Sequence, residues 1–454
     1  MPKLGQLQLI KYAPPPAELP VYPNADPQDV CFFGRTNYEA ALESKKFIFG
    51  IKRADRRRHM YIIGKTGVGK TKLMELLIRQ DIAGGHGVCV IDPHGDLIHA
   101  VLDAVPEDRI DDVVIVDPTD AEYPIAFNPF ADVPRDLRYQ MAQGLIEVMR
   151  KQLGASWTSR LEHVFRFTTL ALLDYPASSM HGMISMLTDH AFRQRVIEHI
   201  EDDMVKRFFS VEFSAWSEKY DAEAIVPLVN KLGQILSHPL LRNVFTQQKN
   251  AIDVETIVRE KKILLINIAK GKLGEEISGF FGSLFMTKLH QAGMARTDSP
   301  PDFYLHIDEF QNVVTDSFDN LFSESRKYGM CLTVAHQYLA QLSDRIQATT
   351  QGNTGTIVVF RIGGEDAAKL ETEMTPIFKA KDMVNLGMQE FYIKMTIDGN
   401  TYDPFSAETL KVLAPPHPSF GERVVAQSRK RYTIPLAEAK RPAQYNNQNP
   451  HDAQ

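Results

Sequence analysis

Short runs of apolar residues recur along this chain at intervals that leave room for a helix between them. Each run is bounded by glycine, proline or polar residues, and its positions are mostly apolar rather than alternating. Continuous apolar runs of this length are typical of strands that are buried on both faces of a sheet. The runs span residues 59–63, 87–92, 112–118, 262–268, 303–308, 331–336 and 356–361. The pattern therefore predicts an α/β fold with a mainly parallel sheet and right-handed β-α-β crossovers.

Between the two sets of runs the hydrophobic pattern changes to helical spacing. Apolar side chains recur there three and four residues apart, as at Leu161 and Val164, and β-branched runs are few. Such spacing places apolar side chains on one face of a helix. We therefore expect an all-α insertion domain at residues 131–250. It would divide the α/β domain into a first part, 47–130, and a second part, 251–413.

Both ends of the chain depart from these patterns. We expect residues 1–46 to form a proline-rich N-terminal arm and a lead-in. The prolines between Pro14 and Pro27 favour extended backbone, so the arm, residues 1–30, is expected on the surface or on a neighbour. From residue 414 the chain is polar and rich in proline, glutamine and asparagine. Residues 414–454 are therefore expected to form a largely disordered tail.

Composition restricts the class of protein. With 454 residues and 44% hydrophobic content the chain can bury a sizeable core, and its net charge of −6 gives no general affinity for DNA. The three cysteines fit a reduced, intracellular protein. No apolar stretch reaches the roughly 18 residues that a bilayer span needs, and we expect no signal peptide because the N-terminal residues lack its apolar h-region. We expect a cytoplasmic protein that a partner recruits if it works at the inner face of a membrane.

One local segment is strongly basic. Seven lysines and arginines lie between Lys45 and Arg58, with Asp55 as the only acid among them. A solvated loop and a contact with DNA or with the edge of a nucleotide are both compatible with such a cluster.

The first candidate for chemistry is a glycine-rich loop between a predicted strand and a predicted helix. It matches G-x-x-x-x-G-K-[ST], the P-loop pattern, in which backbone N–H groups and a helix N-terminus surround phosphates. Lys70 would reach the β- and γ-phosphates, and the hydroxyl of Thr71 would bind Mg²⁺. The sequence therefore predicts ATP and Mg²⁺ as ligands. The loop is Gly64, Lys65, Thr66, Gly67, Val68, Gly69, Lys70 and Thr71.

Two later strands end in polar side chains that suit the same site. The strand at 303–308 ends in Asp308 and Glu309, which suggests Asp308 as a metal ligand and Glu309 as the base for an attacking water. The strand at 331–336 is followed by Gln337, which could contact the γ-phosphate or the water, or could simply begin a helix at 338–347.

Other candidates keep two interpretations on local grounds. Arg326 ends a predicted helix, where a cation is favoured by the helix dipole alone. Asp92 could lie near the metal or form an Asx turn, and Arg361 could contact phosphate or pair with Glu365. Lys270 and Lys272, in a predicted turn, could line a central pore. The fourteen histidines show no zinc-binding spacing.

The motifs as an ordered set resemble those of the HerA/FtsK superfamily of hexameric pump ATPases, and within it the TraD/TraG-like type IV secretion coupling proteins of conjugative DNA transfer. The resemblance spans about residues 47–405. Its motifs are the P-loop at 64–71, Asp92-Pro93-His94-Gly95-Asp96, Asn128-Pro129, Asp308-Glu309-Phe310, Ser325-Arg326-Lys327-Tyr328-Gly329 and Ala335-His336-Gln337.

The resemblance implies a RecA-like P-loop NTPase fold with an inserted all-α domain and a homohexameric motor that moves DNA by hydrolysing ATP. It also implies that Arg326, eleven residues before Gln337, acts in trans on the ATP of the neighbouring subunit. Membrane-bound secretion or conjugation partners are implied as well. Coupling proteins usually carry N-terminal transmembrane helices and HerA proteins an N-terminal β-barrel, and we expect neither in the residues before the P-loop strand.

Two other functions remain open at this stage. The same architecture could drive protein export, so that the cargo is a polypeptide. The chain could also be a nucleotide-gated assembly module with slow turnover, although an intact Glu309 argues against it.

Overall fold

The computed structural model describes two compact units of the chain. The described residues are 10–38, 46–131, 133–176, 178–213, 221–247, 250–296, 300–315 and 318–439. The first unit comprises residues 1–114, 255–267 and 292–424, and the second comprises residues 115–254, 268–291 and 425–454, as far as these are described.

The first unit is built on a large mixed sheet. Its strands are β1 (Val30–Thr36), β2 (Ile48–Lys52), β3 (Met60–Ile63), β4 (Gly87–Asp92), β5 (Val113–Val116), β6 (Ile263–Asn267), β7 (Phe303–Ile307), β8 (Met330–His336), β9 (Thr356–Val359), β10 (Glu390–Ile397), β11 (Asn400–Thr401) and β12 (Phe405–Thr409). They lie in the order β2-β1-β12-β10-β9-β3-β8-β7-β4-β6-β5, and β11 pairs with β10. Only the first two residues of β5 belong to this unit.

The central strands of this sheet are parallel. Strand β3 lies between β8 and β9, while β7 lies between β8 and β4, and β4 also pairs with β6. Strands β4, β7 and β8 are buried along their whole length, as their continuous apolar runs predict. This arrangement confirms the predicted α/β class with a mainly parallel central sheet.

An antiparallel portion extends the sheet beyond β9. There β10, β12, β1 and β2 follow one another, each antiparallel to the last. Strand β1 falls within the residues expected to form the arm and lead-in, but Val30–Thr36 pairs on both sides and Phe33 is fully buried. The prolines that suggested an extended arm end before β1 begins, and Ala13 and Leu19 among them are themselves buried.

Helices cover the sheet of the first unit. Those wholly or mostly in this unit are Arg53–Arg56, Lys70–Ala83, Asp96–Leu102, Val254–Arg259, Phe318–Glu324, Asp344–Gly352, Gly364–Met374 and Ala380–Val384. The expected helix at 338–347 is replaced by a 3-10 turn, Leu339–Gln341, followed by Asp344–Gly352. The side chain of Gln341 accepts the N–H groups of Gln337 and Tyr338, and Ser343 caps the next helix, so the local polar side chains divide the segment.

The second unit is helical in its described part. Its helices are Arg138–Leu153, Ser159–Asp174, Met180–Thr188, His190–His199, Asp203–Arg207, Asp221–Ser237, Pro239–Phe245, Lys270–Leu273 and most of Glu275–Met294. The expected insertion at 131–250 falls within this unit, which also takes in later residues. Within the part of the chain that the structure describes, no helix combines the length and apolar character that a bilayer crossing demands.

The expected disordered tail differs from the structure in its first half. Residues Gly421–Tyr432 form a helix, and Leu436–Ala439 form a further short turn of helix. Ser428 is buried, and its hydroxyl oxygen accepts a hydrogen bond from the backbone N–H of Ile115 at 2.8 Å. Arg429 pairs with Asp120 in the same unit. Such contacts offset the low hydrophobicity of residues 421–439. The rest of the expected tail, residues 440–454, lies outside the described residues.

Two arginines of the basic segment before the P-loop strand are internal, while Lys46 and Arg57 of the same segment are exposed. Arg56 is 2% exposed and donates two hydrogen bonds to Asp81, at 2.5 and 2.9 Å, and Arg53 donates a third at 2.7 Å. His306 on β7 binds the same carboxylate at 3.0 Å. Neither of the two interpretations of this segment describes these arginines, because their charges are neutralised inside the unit.

Burial alone would raise the pKa of Asp81, but the charge of Arg56 and the hydrogen bonds from His306 and Arg56 outweigh it and hold the pKa well below its usual range. Since the folded-state pKa is depressed, this carboxylate stabilises the fold above its unfolded-state pKa of about 4 and loses that contribution as the pH falls below it. The carboxylate joins the P-loop helix, β7 and the segment that leads into β3.

Replacing Asp81 is therefore expected to destabilise the first unit strongly. Asp81→Ala leaves the buried guanidinium of Arg56 without its counter-charge, and such a change costs about 3–5 kcal/mol. Chemical denaturation at neutral pH measures the loss in the free energy of unfolding. The control is Glu107→Ala, which breaks the exposed ion pair with Arg423 and should cost less than about 1 kcal/mol. Equal losses for the two variants would contradict the assignment.

Candidate active site

The P-loop follows β3 at the carboxyl edge of the parallel strands. The helix Lys70–Ala83 begins directly after Gly69, whose φ of 121° is accessible to glycine but strained for other residues. Gly64 is also required, because a Cβ there would lie 2.6 Å from the Cβ of Phe360. The loop therefore has the backbone shape that its sequence predicts, with a helix N-terminus directed at its centre.

Lys70 lies inside this loop. Its ammonium group donates to the carbonyl oxygens of Gly64, at 2.7 Å, and Lys65, at 3.2 Å. Burial lowers the pKa of Lys70, and the negative charges of Glu309 and Asp308 act in the opposite direction. A buried cation held only by neutral carbonyls gains stabilisation from an incoming phosphate.

Thr71 and Asp308 form the second contact of the site. The hydroxyl of Thr71 donates to Oδ2 of Asp308 at 3.0 Å, so the first turn of the P-loop helix meets the end of β7. Burial and the charges of Glu309 and Asp92 raise the pKa of Asp308 to about 6. A hydroxyl and a carboxylate are hard oxygen donors of the kind that Mg²⁺ prefers.

These residues fit a magnesium ion that shares its coordination with phosphates. In the described residues no group of three or more histidine, cysteine, aspartate or glutamate side chains could hold a metal by itself. Mg²⁺ commonly uses one or two protein oxygens together with substrate phosphates and water. Thr71 and Asp308 supply two such protein oxygens, and the raised pKa of Asp308 indicates that a cation would relieve local repulsion.

Glu309 lies beside this pair and is oriented by two amides. Gln337, which follows β8, donates to one carboxylate oxygen at 3.0 Å, and Gln311 donates to the other at 2.8 Å. The backbone of Glu309 is left-handed, with φ of 48°, and its carbonyl accepts a hydrogen bond from Asn312. Strands β7 and β8 are adjacent and parallel, which explains why Glu309 and Gln337 meet.

Asp92 uses its carboxylate to shape the backbone. One oxygen accepts from the N–H of His94, and the other accepts from Leu97 and Ile98 at the start of a helix. The Asx-turn interpretation is therefore confirmed. Its charge nevertheless acts on Asp308, so it contributes to the negative potential at the site.

Arg326 lies at the opposite end of β8 from Gln337. It belongs to a 3-10 turn, Ser325–Tyr328, that follows the helix Phe318–Glu324 and ends at Gly329. Its side chain is exposed and forms no ion pair with any described residue. The sheet places it far from the P-loop of the same chain.

The remaining candidates are only partly located. The backbone carbonyl of Arg361 accepts a hydrogen bond from the N–H of Lys65, so this residue lies beside the P-loop, but its guanidinium forms no ion pair with Glu365 or another described acid. Lys270 and Lys272 lie in a short helix rather than a turn, and Lys270 pairs with Glu275 at 3.4 Å. Their proposed place at a central pore stays a prediction.

Sequence reasoning missed a wall of the site that comes from the antiparallel strands. The N–H of Gln389, just before β10, donates to the carbonyl of Val68 inside the P-loop. A cavity of about 380 Å³ opens beside it, between Lys72 and Arg79 of the P-loop helix and the segment 409–414. No motif marks these residues, and Gln389 has a φ of 64° that its sequence does not reveal.

Comparison with solved structures gives the fold. The bacterial conjugative coupling protein TrwBdeltaN70, in its unbound form, is 17% identical with a TM-score of 0.60 over 82% of this chain and 89% of that chain. The plasmid coupling protein TrwB in complex with the GTP analogue GDPNP has the same identity and TM-score and is covered over 90% of its length. VirB4 of Thermoanaerobacter pseudethanolicus is 15% identical with a TM-score of 0.52, over 79% of this chain and 90% of that one.

At these identities the likeness establishes the fold alone, and it confirms the predicted P-loop NTPase architecture with an all-α domain. No curated protein matches the sequence of this chain. The family model described as the type IV secretion-system coupling protein DNA-binding domain matches residues 49–375. Since this match covers more than half of the 454 residues, the chain belongs to the type IV secretion-system coupling protein DNA-binding domain family.

Proposed function

We propose that this chain is an ATP-hydrolysing motor that moves DNA and works as a homohexameric ring. The observation that carries the proposal is the contact between Glu309 and Gln337, next to the Thr71–Asp308 pair and the P-loop. A carboxylate fixed by an amide at this position can take a proton from a water molecule, and that step distinguishes a hydrolase from a protein that only binds nucleotide.

In this proposal the P-loop backbone and Lys70 bind the β- and γ-phosphates of ATP. Thr71 and Asp308 hold Mg²⁺, which supplies positive charge to the phosphate oxygens when it is bound. Gln337 holds Glu309 in place and contacts the γ-phosphate or the water. The cavity beside Gln389 provides room for the remainder of the nucleotide.

Arg326 is proposed to act on the ATP of a neighbouring subunit. Strands β3 and β8 are parallel, so the P-loop and Gln337 lie at one edge of the sheet, while Arg326 precedes the other end of β8. Seven residues of strand separate the two ends by about 20 Å, which is beyond the reach of an arginine side chain. An exposed guanidinium without an acidic partner is therefore available to a second subunit.

DNA is the proposed cargo because the matching family is described as DNA-binding and the similar solved structures include a conjugative coupling protein. Recruitment to the inner face of a membrane by secretion or conjugation partners is part of the same proposal. Protein export, the alternative cargo, is retained as an outcome of the DNA test.

Removal of the proposed base should abolish hydrolysis and preserve binding. Glu309→Gln keeps the shape of the side chain but cannot accept a proton, so we expect ATP turnover to fall by about 10²- to 10⁴-fold while ATP still binds with Mg²⁺. Lys70→Ala should lose tight nucleotide binding as well. Steady-state ATPase rates and nucleotide titration measure both effects. Glu107→Gln, at an exposed glutamate, is the control, and turnover of Glu309→Gln within about threefold of the parent would remove the general-base assignment.

DNA should stimulate the ATPase, and the stimulation should weaken steeply as salt concentration rises. Lysine and arginine contacts to phosphates release counterions, which gives a linear fall of log affinity with log salt. ATPase rates measured with single-stranded and with double-stranded DNA over a salt series test this expectation. A rate that no DNA changes at low salt would instead favour protein cargo or an assembly role.

The trans role of Arg326 predicts complementation between two inactive variants. Arg326→Ala should bind ATP normally but hydrolyse it about 10³-fold more slowly, on the scale of other arginine fingers. Mixed with Lys70→Ala subunits, it forms some interfaces that pair an intact P-loop with an intact arginine, so ATPase activity should partly return. Lys327→Ala, which alters the adjacent exposed cation, should remain active. Mixed rings, shown by mass measurement to have formed, that stay inactive would leave Arg326 as a helix-end cation only.

A further inference from the structure

His59 connects the beginning of the P-loop strand with the segment that carries Arg326. It directly precedes β3 and is 1% exposed. Its Nδ1 lies 3.2 Å from the backbone N–H of Leu332, and its Nε2 lies 3.0 Å from the carbonyl oxygen of Phe322. The hydroxyl of Ser325 is 3.3 Å from the same Nε2.

These contacts fix the tautomer of the ring. A backbone N–H can only donate, so Nδ1 of His59 accepts from Leu332 and carries no proton. A carbonyl oxygen can only accept, so Nε2 carries the proton and donates it to Phe322. Burial lowers the pKa of His59 to about 4, so the ring is neutral near pH 7 and keeps both contacts.

The two partners of His59 flank the proposed finger. Phe322 lies in the last turn of the helix Phe318–Glu324, and Leu332 lies in β8, so the ring bridges the two ends of the nine-residue segment 323–331 that contains Arg326. The ring of Phe322 also packs edge-on against the imidazole, with centroids 5.2 Å apart. A further contact fixes the backbone just after Arg326, where Arg296 donates a hydrogen bond to the carbonyl of Tyr328 at 2.9 Å.

The backbone of His59 indicates that this placement is imposed by its surroundings. Its φ is 64°, in the left-handed region that only a few per cent of residues other than glycine adopt, although histidine is found there more often than most. The strained backbone turns the chain from the helix Arg53–Arg56 into β3 and directs the imidazole beneath the Arg326 segment. Strain of this kind persists where the surrounding contacts hold it, often near functional sites.

We propose that His59 is a positioning residue for Arg326, which it serves by fixing the backbone on both sides of the finger and thereby the reach of the guanidinium across the subunit interface. This inference rests on the proposed trans role of Arg326. Arg326 has no acidic partner among the described residues, so its position depends on its backbone. His59 also lies at the edge of the sheet away from the P-loop of its own chain, so its effect should fall on the neighbour's ATP.

The test is the same complementation in rings, now with His59 variants. His59→Ala should bind ATP as the parent does and lose about 10- to 100-fold in turnover, the scale expected when a catalytic group is misplaced by about 1 Å. Mixed with Lys70→Ala subunits it should recover activity, because its own P-loop is intact and faces an intact finger. Mixed with Arg326→Ala subunits it should not recover, because both variants are defective on the same side of the interface.

A second variant keeps the test informative if His59→Ala folds poorly. His59→Asn suits the left-handed backbone but is too short to bridge Phe322 and Leu332, so it should show the same pattern of complementation. His59→Gln retains a donor and an acceptor and should restore part of the turnover. Thermal unfolding and ATP affinity of each variant separate loss of fold from loss of finger position.

Each result supports or overturns the inference. The inference is overturned if ATPase activity recovers when His59→Ala is mixed with Arg326→Ala, or if it recovers with neither partner variant. Parent-like turnover of both His59→Ala and His59→Asn would overturn it too. Failure of the Lys70→Ala and Arg326→Ala mixture would instead overturn the trans role of Arg326, and the positioning role with it. Recovery of that mixture together with failure of the His59→Ala and Lys70→Ala mixture would reject the role of His59 alone.

Discussion

The parallel register of β3 against β8 determines what each end of these strands can do. Ile63 pairs with His336, so the P-loop and Gln337 emerge together at the carboxyl edge, and hydrogen bonds between the two strands hold them in fixed positions. The same pairing places His59 level with Leu332 at the other edge, beside the segment that carries Arg326. Strand β8 is therefore followed by Gln337, which is proposed to contact the nucleotide of its own subunit. It is preceded by Arg326, which is proposed to contact the nucleotide of a neighbouring subunit.

A cluster of buried charged and polar side chains also holds the elements around the nucleotide site together. Asp81 on the P-loop helix, Arg56 before β3 and His306 in the middle of β7 meet in one hydrogen-bonded cluster, so three elements that surround the nucleotide site are joined away from it. At the site itself the balance differs, because Asp308, Glu309 and Asp92 accumulate negative charge beside a single buried lysine. The charges of the Asp81 cluster therefore neutralise one another, whereas the carboxylates and the lysine at the nucleotide site are expected to be balanced by a magnesium ion and phosphates.

The parts that the sequence could predict are those encoded by contiguous residues. The P-loop, the buried parallel strands and the acidic end of β7 each depend on local pattern, and the structure has them where the pattern indicates. The pairing of Arg56 with Asp81 could not be predicted, since the partners are 25 residues apart in the chain and nothing local distinguishes them from solvated charges. Strand β1 and the wall near Gln389 were missed for a similar reason, because antiparallel partners far along the chain give them their structure. The prediction of one continuous helix after Gln337 was wrong, because the side chains of Gln341 and Ser343 accept hydrogen bonds from nearby backbone N–H groups and so divide the segment.

ATP is proposed to be hydrolysed between subunits, with Glu309 and Gln337 on one side of the nucleotide and Arg326 on the other. The most direct measurement is a cryo-electron microscopy structure of the Glu309→Gln variant assembled with ATP, Mg²⁺ and DNA, in which nucleotide is trapped before hydrolysis. We expect a ring in which the guanidinium of Arg326 lies within hydrogen-bond distance of the γ-phosphate held by the P-loop of the adjacent subunit. A ring whose nucleotides contact one chain only, with Arg326 directed to solvent, would contradict it.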